Sequence, residues 1–159
     1  EDGKRDSVAS RGLGDVYKRQ VKMGVSNDGK IQSGSVDLKF EAGAFPGSAI
    51  AAGSVCCLAC YNIPNIQVDA FDVLVNKPKS AAYRAPGSPQ VSFAVESVID
   101  EICEKMTWDK IDFRINNASK EGTRKPDGVL FHKIGFIQCL EAAMISKLWN
   151  TPIYMRNIN

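Results

Sequence analysis

The stretch SAAYRAPGSPQVSFAVESVIDEI, Ser80 to Ile102, constrains the fold more than any other part of this chain. A strand-like run ends at an arginine, two prolines and a glycine stop regular structure, and a helical pattern begins at once. Ser88 suits an N-cap and Pro89 suits the first helical position. Val91, Val95, Val98 and Ile102 then recur at helical spacing, with Ala94, Ile99 and Met106 widening the apolar stripe. Glu96, Asp100, Glu101 and Glu104 lie mostly off that stripe, on a face expected to be solvated and not catalytic. In the loop, Pro86 biases Ala85 toward extended geometry, and Gly87 lets another backbone or a ligand come close. Arg84 supplies a planar fork of donors beside the free N–H groups and positive dipole end of the following helix. Together these make a candidate anion site. On spacing alone, a solvated turn arginine is the alternative.

The rest of the chain supplies a scaffold for that loop. VKMGVS from Val21 and IQSGSVDLKFEAG both alternate apolar and polar residues around an Asn27-Asp28-Gly29 turn, the pattern of an antiparallel hairpin. AIAAGSVCCLACY is apolar on all sides and rich in small residues, which predicts a buried helix packed closely by another backbone. IQVDAFDVLVN alternates as a third strand. WDKIDFRINNA predicts a short helix with Asp109 near its start, SKEGTRKPDG a polar loop, and HKIGFIQCLEAAMISKLW a last amphipathic helix. Strands and helices mix without strict alternation, so the fold class is α/β or mixed α+β, a hairpin and a further strand packed with helices. Residues 1–20 keep neither period. They resemble translated adapter sequence or a disordered terminus, and residues 21–159 are expected to carry the fold. The chain begins without methionine, which also suggests a fragment.

Composition excludes several classes. Of 159 residues, 44% are hydrophobic, enough for one core. The formal charge of +2, with both signs interspersed, gives no basic footprint for nucleic acid and no polybasic membrane anchor. The apolar run from Ala49 to Cys60 is too short to span a bilayer. The charged N-terminus lacks the apolar region of a signal peptide, so a cytoplasmic location is expected. Five cysteines at 56, 57, 60, 103 and 139, with a single histidine at His132, suit neither a disulfide framework nor a zinc site, and Cys56, Cys57 and Cys60 read as buried thiols on an apolar helix. No phosphate-binding glycine loop and no nucleophile elbow occurs.

Six blocks in order, VKMGVSNDGKI, AGAFPGS, CYNIPNIQVDAFDVLVNKP, AAYRAPGSPQVSFAVESVIDEI, WDKIDFRINNASKEG and KPDGVLFHKIG, resemble the molybdopterin-binding large subunit of the xanthine dehydrogenase/aldehyde oxidase family, from Val21 to about Pro152. The resemblance implies part of a larger molybdopterin-binding domain in an oxidoreductase that hydroxylates an electron-poor carbon with water as oxygen source. It implies that Arg84 and Ala85 bind the molybdenum–molybdopterin cofactor, in which a cytosine dinucleotide form is possible, and that Pro86 faces the substrate. Iron–sulfur clusters and FAD are implied on partner subunits or domains. Carbon monoxide dehydrogenases carry a copper-binding cysteine where this chain has Ala85. Purine-oxidising members carry an aromatic residue at the position of Pro86 and an arginine within the stretch that is AIAAGS here. An aldehyde or aromatic heterocycle is therefore the expected substrate. The family's catalytic glutamate segment and its upstream glycine-rich cofactor loop do not occur in these residues, so the chain alone is expected to be inactive. The competing expectation is a non-catalytic binding or assembly module.

Overall fold

The structure, a computed structural model, describes residues 16–82 and 84–151. Strand β1 (Val16–Val25) pairs antiparallel with β2 (Ile31–Gly43), and β2 pairs parallel with β3 (Asn65–Leu74). The order is β1-β2-β3. The hairpin forms at the expected Asp-Gly turn, where Gly29 at φ 78° lets Ser26 and Lys30 close the ladder. β1 starts earlier than the alternation suggested. Residues 16–20, set apart on pattern alone, continue the pairing against β2, with Gln20 opposite Asp37. A strand on a sheet edge takes its order from main-chain bonds to its neighbour, so its side chains need no clean period.

Between β2 and β3 lies α1 (Ile50–Cys56), the crossover that a parallel pair needs. It is shorter and less buried than the sequence predicted. The helix ends at Cys56, Ala51 and Ala52 are exposed, and within it only Gly53 is buried. Small residues are apolar but bring little area to a core, so they let the helix lie at the rim. The expectation of buried thiols holds for Cys57, whereas Cys56 is half-buried and Cys60 is exposed. Burial pushes the Cys57 thiol up to about 11, which leaves it inert.

The long helix α2 (Ser88–Met106) covers one face of the sheet. Its buried line is Val91, Val95, Ile99 and Cys103, packed on Val36, Leu38 and Phe40 of β2. The stripe thus centres one position away from Val98 and Ile102, and Met106 is exposed at 44%. α2 stops at Thr107, whose left-handed φ of 56° folds its N–H back onto the last turn.

Asp109 caps α3 (Lys110–Asn117) by accepting from Ile111 and Asp112 N–H. From α3, Asn117 reaches the hairpin: its Nδ2 donates to Gly29 O at 2.8 Å and its Oδ1 accepts from Ile31 N at 2.8 Å. The last predicted helix is two pieces, α4 (Phe136–Met144) and α5 (Lys147–Asn150), because Ser146 leaves the helix and caps Trp149 N–H. Neither piece has a fully buried residue. Among the described residues no helix is long and apolar enough to cross a membrane.

Candidate functional site

The chain reaches Arg84 along a fixed track. Residues 77–80 run beside the end of β2, with Ala44 N donating to Lys77 O and Ser80 N donating to Ala42 O, both at 3.0 Å. The approach is close enough that a Cβ on Gly43 would stand 2.3 Å from Pro78 O, and Gly43 has φ 79°. Arg84 and Ala85 emerge exposed at the end of this track. Tyr83 lies outside the described residues.

The loop then folds under itself. Ala85 O accepts from Ser88 N at 3.2 Å, closing a turn. Ala85 has φ 49°, in the left-handed region, where a residue before proline was expected to be extended. The turn and the anchoring of Gly87 override that local bias, at a cost of about 1 kcal/mol. Gly87, at φ 81°, is buried against α1: a Cβ there would lie 2.6 Å from Ala49 O and 2.9 Å from Gly53 N. Close approach of another backbone to the small-residue segment, predicted from composition, is thus made by Gly87. Gly87 is also the residue before the helix, so Ser88 is not the cap. The Ser88 hydroxyl instead donates to Cys56 Sγ at 3.3 Å, and Pro89 takes the second helical position.

Two features make this corner suited to a ligand. Among the described residues, Arg84 makes no hydrogen bond or ion pair. Further along the chain, in the first turn of α2, Gln90 is 6% exposed and its side-chain Oε1 is buried with no partner among the described residues. Its main-chain oxygen is satisfied by Arg19 Nη1 at 2.6 Å. A buried, unpartnered acceptor is uncommon in a settled interior. An exposed fork of cationic donors suits a group with anionic oxygens, and an orphaned amide oxygen suits an N–H donor.

Asp37 Oδ1 on β2 is likewise buried without a hydrogen-bond partner, whereas the polar groups between α2 and α3 satisfy one another. Arg114 Nε donates to Glu96 Oε2 and Nη2 to Asp100 Oδ1, both at 2.9 Å, while Tyr61 Oη donates to the other Glu96 oxygen at 2.7 Å. The acids taken as a solvated face thus bind α3 to α2. Burial opposes charge on Asp100, but hydrogen bonds from Arg114 and Lys110 outweigh it and hold the carboxyl below its usual range. Burial likewise pushes the Tyr61 hydroxyl upward, and Glu96 adds to the effect. An open cleft of about 610 Å³ lies between residues 62–66 and the loop 120–128. Arg124 and Lys125 are engaged within that loop: Arg124 Nη1 donates to Gly128 O and Lys125 pairs with Asp127. Among the described residues no group of three or more metal-ligating side chains forms.

Comparison with known proteins agrees with the ordered blocks of the sequence. A family model described as molybdopterin cofactor-binding domain matches residues 3–118. The chain belongs to that family. It is 35% identical over 126 residues to the nicotinate dehydrogenase large molybdopterin subunit of Eubacterium barkeri, covering 77% of this chain and 30% of that subunit. It is 34% identical over 124 residues to the xanthine dehydrogenase molybdenum-binding subunit of Escherichia coli O157:H7, covering 76% of this chain and 16% of that one. Among solved structures, the aldehyde oxidoreductase from Desulfovibrio gigas superposes with a TM-score of 0.72 at 27% identity, over 78% of this chain and 14% of that enzyme. The α/β fold of this chain is the fold of a domain within that molybdenum-dependent oxidoreductase class. The chain spans about a third or less of the length of these relatives.

Proposed function

We propose that this chain is the part of a molybdenum hydroxylase in which the Arg84 loop holds the molybdenum–molybdopterin cofactor, and that the whole enzyme oxidises an aldehyde or an aromatic heterocycle with water as oxygen source. The observation that carries the reading is the exposed Arg84, which makes no hydrogen bond or ion pair among the described residues, on a loop pinned by Gly87 to α1. The bound cofactor supplies the redox chemistry and activates water. The chain's own residues hold and orient it. Arg84 places fixed positive charge beside the cofactor's anionic groups, a preorganised contribution that needs no rearrangement during reaction. Ala85, turned out at φ 49°, lines the cofactor with backbone in place of a side chain. Pro86 stands next along the chain as a small, rigid wall on the substrate side.

The substrate proposal draws on names as well as residues. Two relatives are named for nicotinate or aldehyde oxidation, a third for xanthine, and the saturated Pro86 offers no aromatic ring to stack on a purine. Iron–sulfur and FAD partners are the proposed route by which electrons leave, and the pterin is proposed to be of the cytosine dinucleotide kind. The test is Arg84→Ala and Arg84→Lys in the full-length enzyme, with molybdenum and pterin measured per protein. Severalfold loss of both in Arg84→Ala, partly restored by Lys, is the expected result. Full cofactor content in Arg84→Ala removes the role of this loop. A full-length protein that carries no molybdenum or pterin at all leaves the non-catalytic module as the reading.

A further inference from the structure

The Arg84 loop rests on α1, so whatever sets the position of α1 sets the loop. The start of α1 is held from β3 by one side chain. Asp72 Oδ2 accepts from Gly47 N at 2.8 Å, and Asp72 Oδ1 accepts from Ser48 N at 3.3 Å and from the Ser48 hydroxyl. Ser48 Oγ in turn accepts from Ile50 N, the first residue of α1, at 3.2 Å. Ala49 O, just before Ile50, and Gly53 N, in the first turn of α1, are the atoms on which Gly87 lies. Burial works against a charge on Asp72, yet Ser48, the Gly47 and Ser48 N–H groups and nearby Lys79 outweigh it and hold the carboxyl below its ordinary range. Lys79 belongs to the track that delivers Arg84. The same carboxylate therefore touches the crossover by hydrogen bonds and the track by charge.

We infer that Asp72 is a positioning residue for the Arg84 loop, fixing through residues 47–50 and α1 the height at which Gly87, and with it Arg84 and Ala85, stand. The inference rests on the cofactor reading of that loop for its functional consequence, but its structural core can be tested apart from it. A sheet-borne carboxylate is a firm post: β3 is paired along its length with β2, and Asp72 stands opposite Phe40 of the core. Loop positions set by a rigid neighbouring element are what a binding corner needs.

The experiment is amide hydrogen exchange on the full-length protein, comparing wild type with Asp72→Ala, Asp72→Glu and Ser48→Ala, alongside molybdenum and pterin content. Asp72→Ala is expected to speed exchange severalfold at residues 44–52 and also at Ser88 and Val91, whose N–H groups bond within the loop. Cofactor content falls with it, and combining Asp72→Ala with Arg84→Ala adds little further loss, because both act on one contact. Asp72→Glu, which keeps the charge but lengthens the reach, restores part of the protection. Faster exchange confined to residues 44–52, with Ser88 and Val91 unchanged, overturns the inference and leaves Asp72 a local staple. Equal loss of protection throughout the sheet also overturns it, as general destabilisation. If Arg84→Ala alone leaves cofactor content intact while Asp72→Ala still loosens Ser88 and Val91, the positioning stands and the cofactor reading of Arg84 falls.

Discussion

Two arginines on this chain have opposite surroundings. Arg114 is caught between Glu96 and Asp100, with its third donor on Lys110 O at 2.9 Å, and its side chain is 14% exposed. Arg84 is exposed and, among the described residues, makes no bond at all. Yet the backbone under Arg84 is the more constrained. It passes through a left-handed alanine, a left-handed glycine and a close backbone contact, whereas Arg114 sits in an ordinary helix capped by Asp109. Local strain accepted for an unbonded side chain is a mark of a binding position. A fully bonded side chain on an unstrained helix is a mark of scaffold. The block DFRINNASKEG belongs to the second kind: Phe113 is in the core, Arg114 joins two helices, Asn117 latches the hairpin and Ser119 bonds Ala59 O.

The comparison can be tested from its largest expected effect downward. Arg114→Ala removes the cation from between two acids and a buried tyrosine. Those acids are partly exposed, so the loss of stability should be about 2–3 kcal/mol, below that of a fully buried pair. Urea unfolding of the full-length protein measures it. Gly87→Ala places a Cβ against Ala49 O in a backbone conformation that side chains rarely adopt, and should cost about 1–2 kcal/mol while also lowering cofactor content. Tyr61→Phe leaves one Glu96 oxygen without its donor, and a decrease of about 1 kcal/mol is expected by the same method. Arg84→Ala should change stability by less than about 0.5 kcal/mol, as a surface change does. Its effect belongs on cofactor content, and a stability loss as large as that of Arg114→Ala would erase the distinction between the two.

Acid offers a sharper division. The folded state holds Asp100 below its ordinary carboxyl range, so its share of stability is complete above the unfolded value of about 4 and is lost as pH falls through the lower folded value. Arg114→Ala removes the main partner and should flatten the acid limb of the unfolding midpoint against pH. Arg84→Ala should leave that limb unchanged. A flattened limb in Arg84→Ala would mean that its guanidinium pairs with a carboxylate in solution.

Much of the scaffold was readable because its signals are local. Asp-Gly between two alternating runs determines a hairpin, and the spacing from Val91 to Ile102 determines a helix, whatever else is present. The short helix starting near Asp109 was equally local. Where long-range contacts outweigh local preference, the reading shifted. Ser88 was displaced from the cap by Gly87, the residue pinned to α1, and the core stripe settled on Ile99 and Cys103, the side of the helix that faces Leu38 and Phe40. Glu96 and Asp100 looked like a solvated face because their cation comes from another helix, eighteen and fourteen residues on respectively. Arg84 was singled out by the prolines and glycine around it, but Gln90 and Asp72 were not. A lone glutamine in a helix and an aspartate in a strand carry no pattern until burial and partners are known.

The amino-acid sequence by itself determined the order and type of most elements, the family through its six ordered blocks, and Arg84 as the residue to examine. Those features rest on dihedral preference, hydrophobic period and residue identity, which are properties of neighbours along the chain. Only the tertiary structure decided that β3 lies parallel beside β2, that Gly87 lands on Gly53 and turns Ala85 to a positive φ, and that Asp72 braces the helix beneath. Each of these joins segments 24 to 38 residues apart, and their geometry is fixed by packing and by hydrogen bonds that no local rule contains.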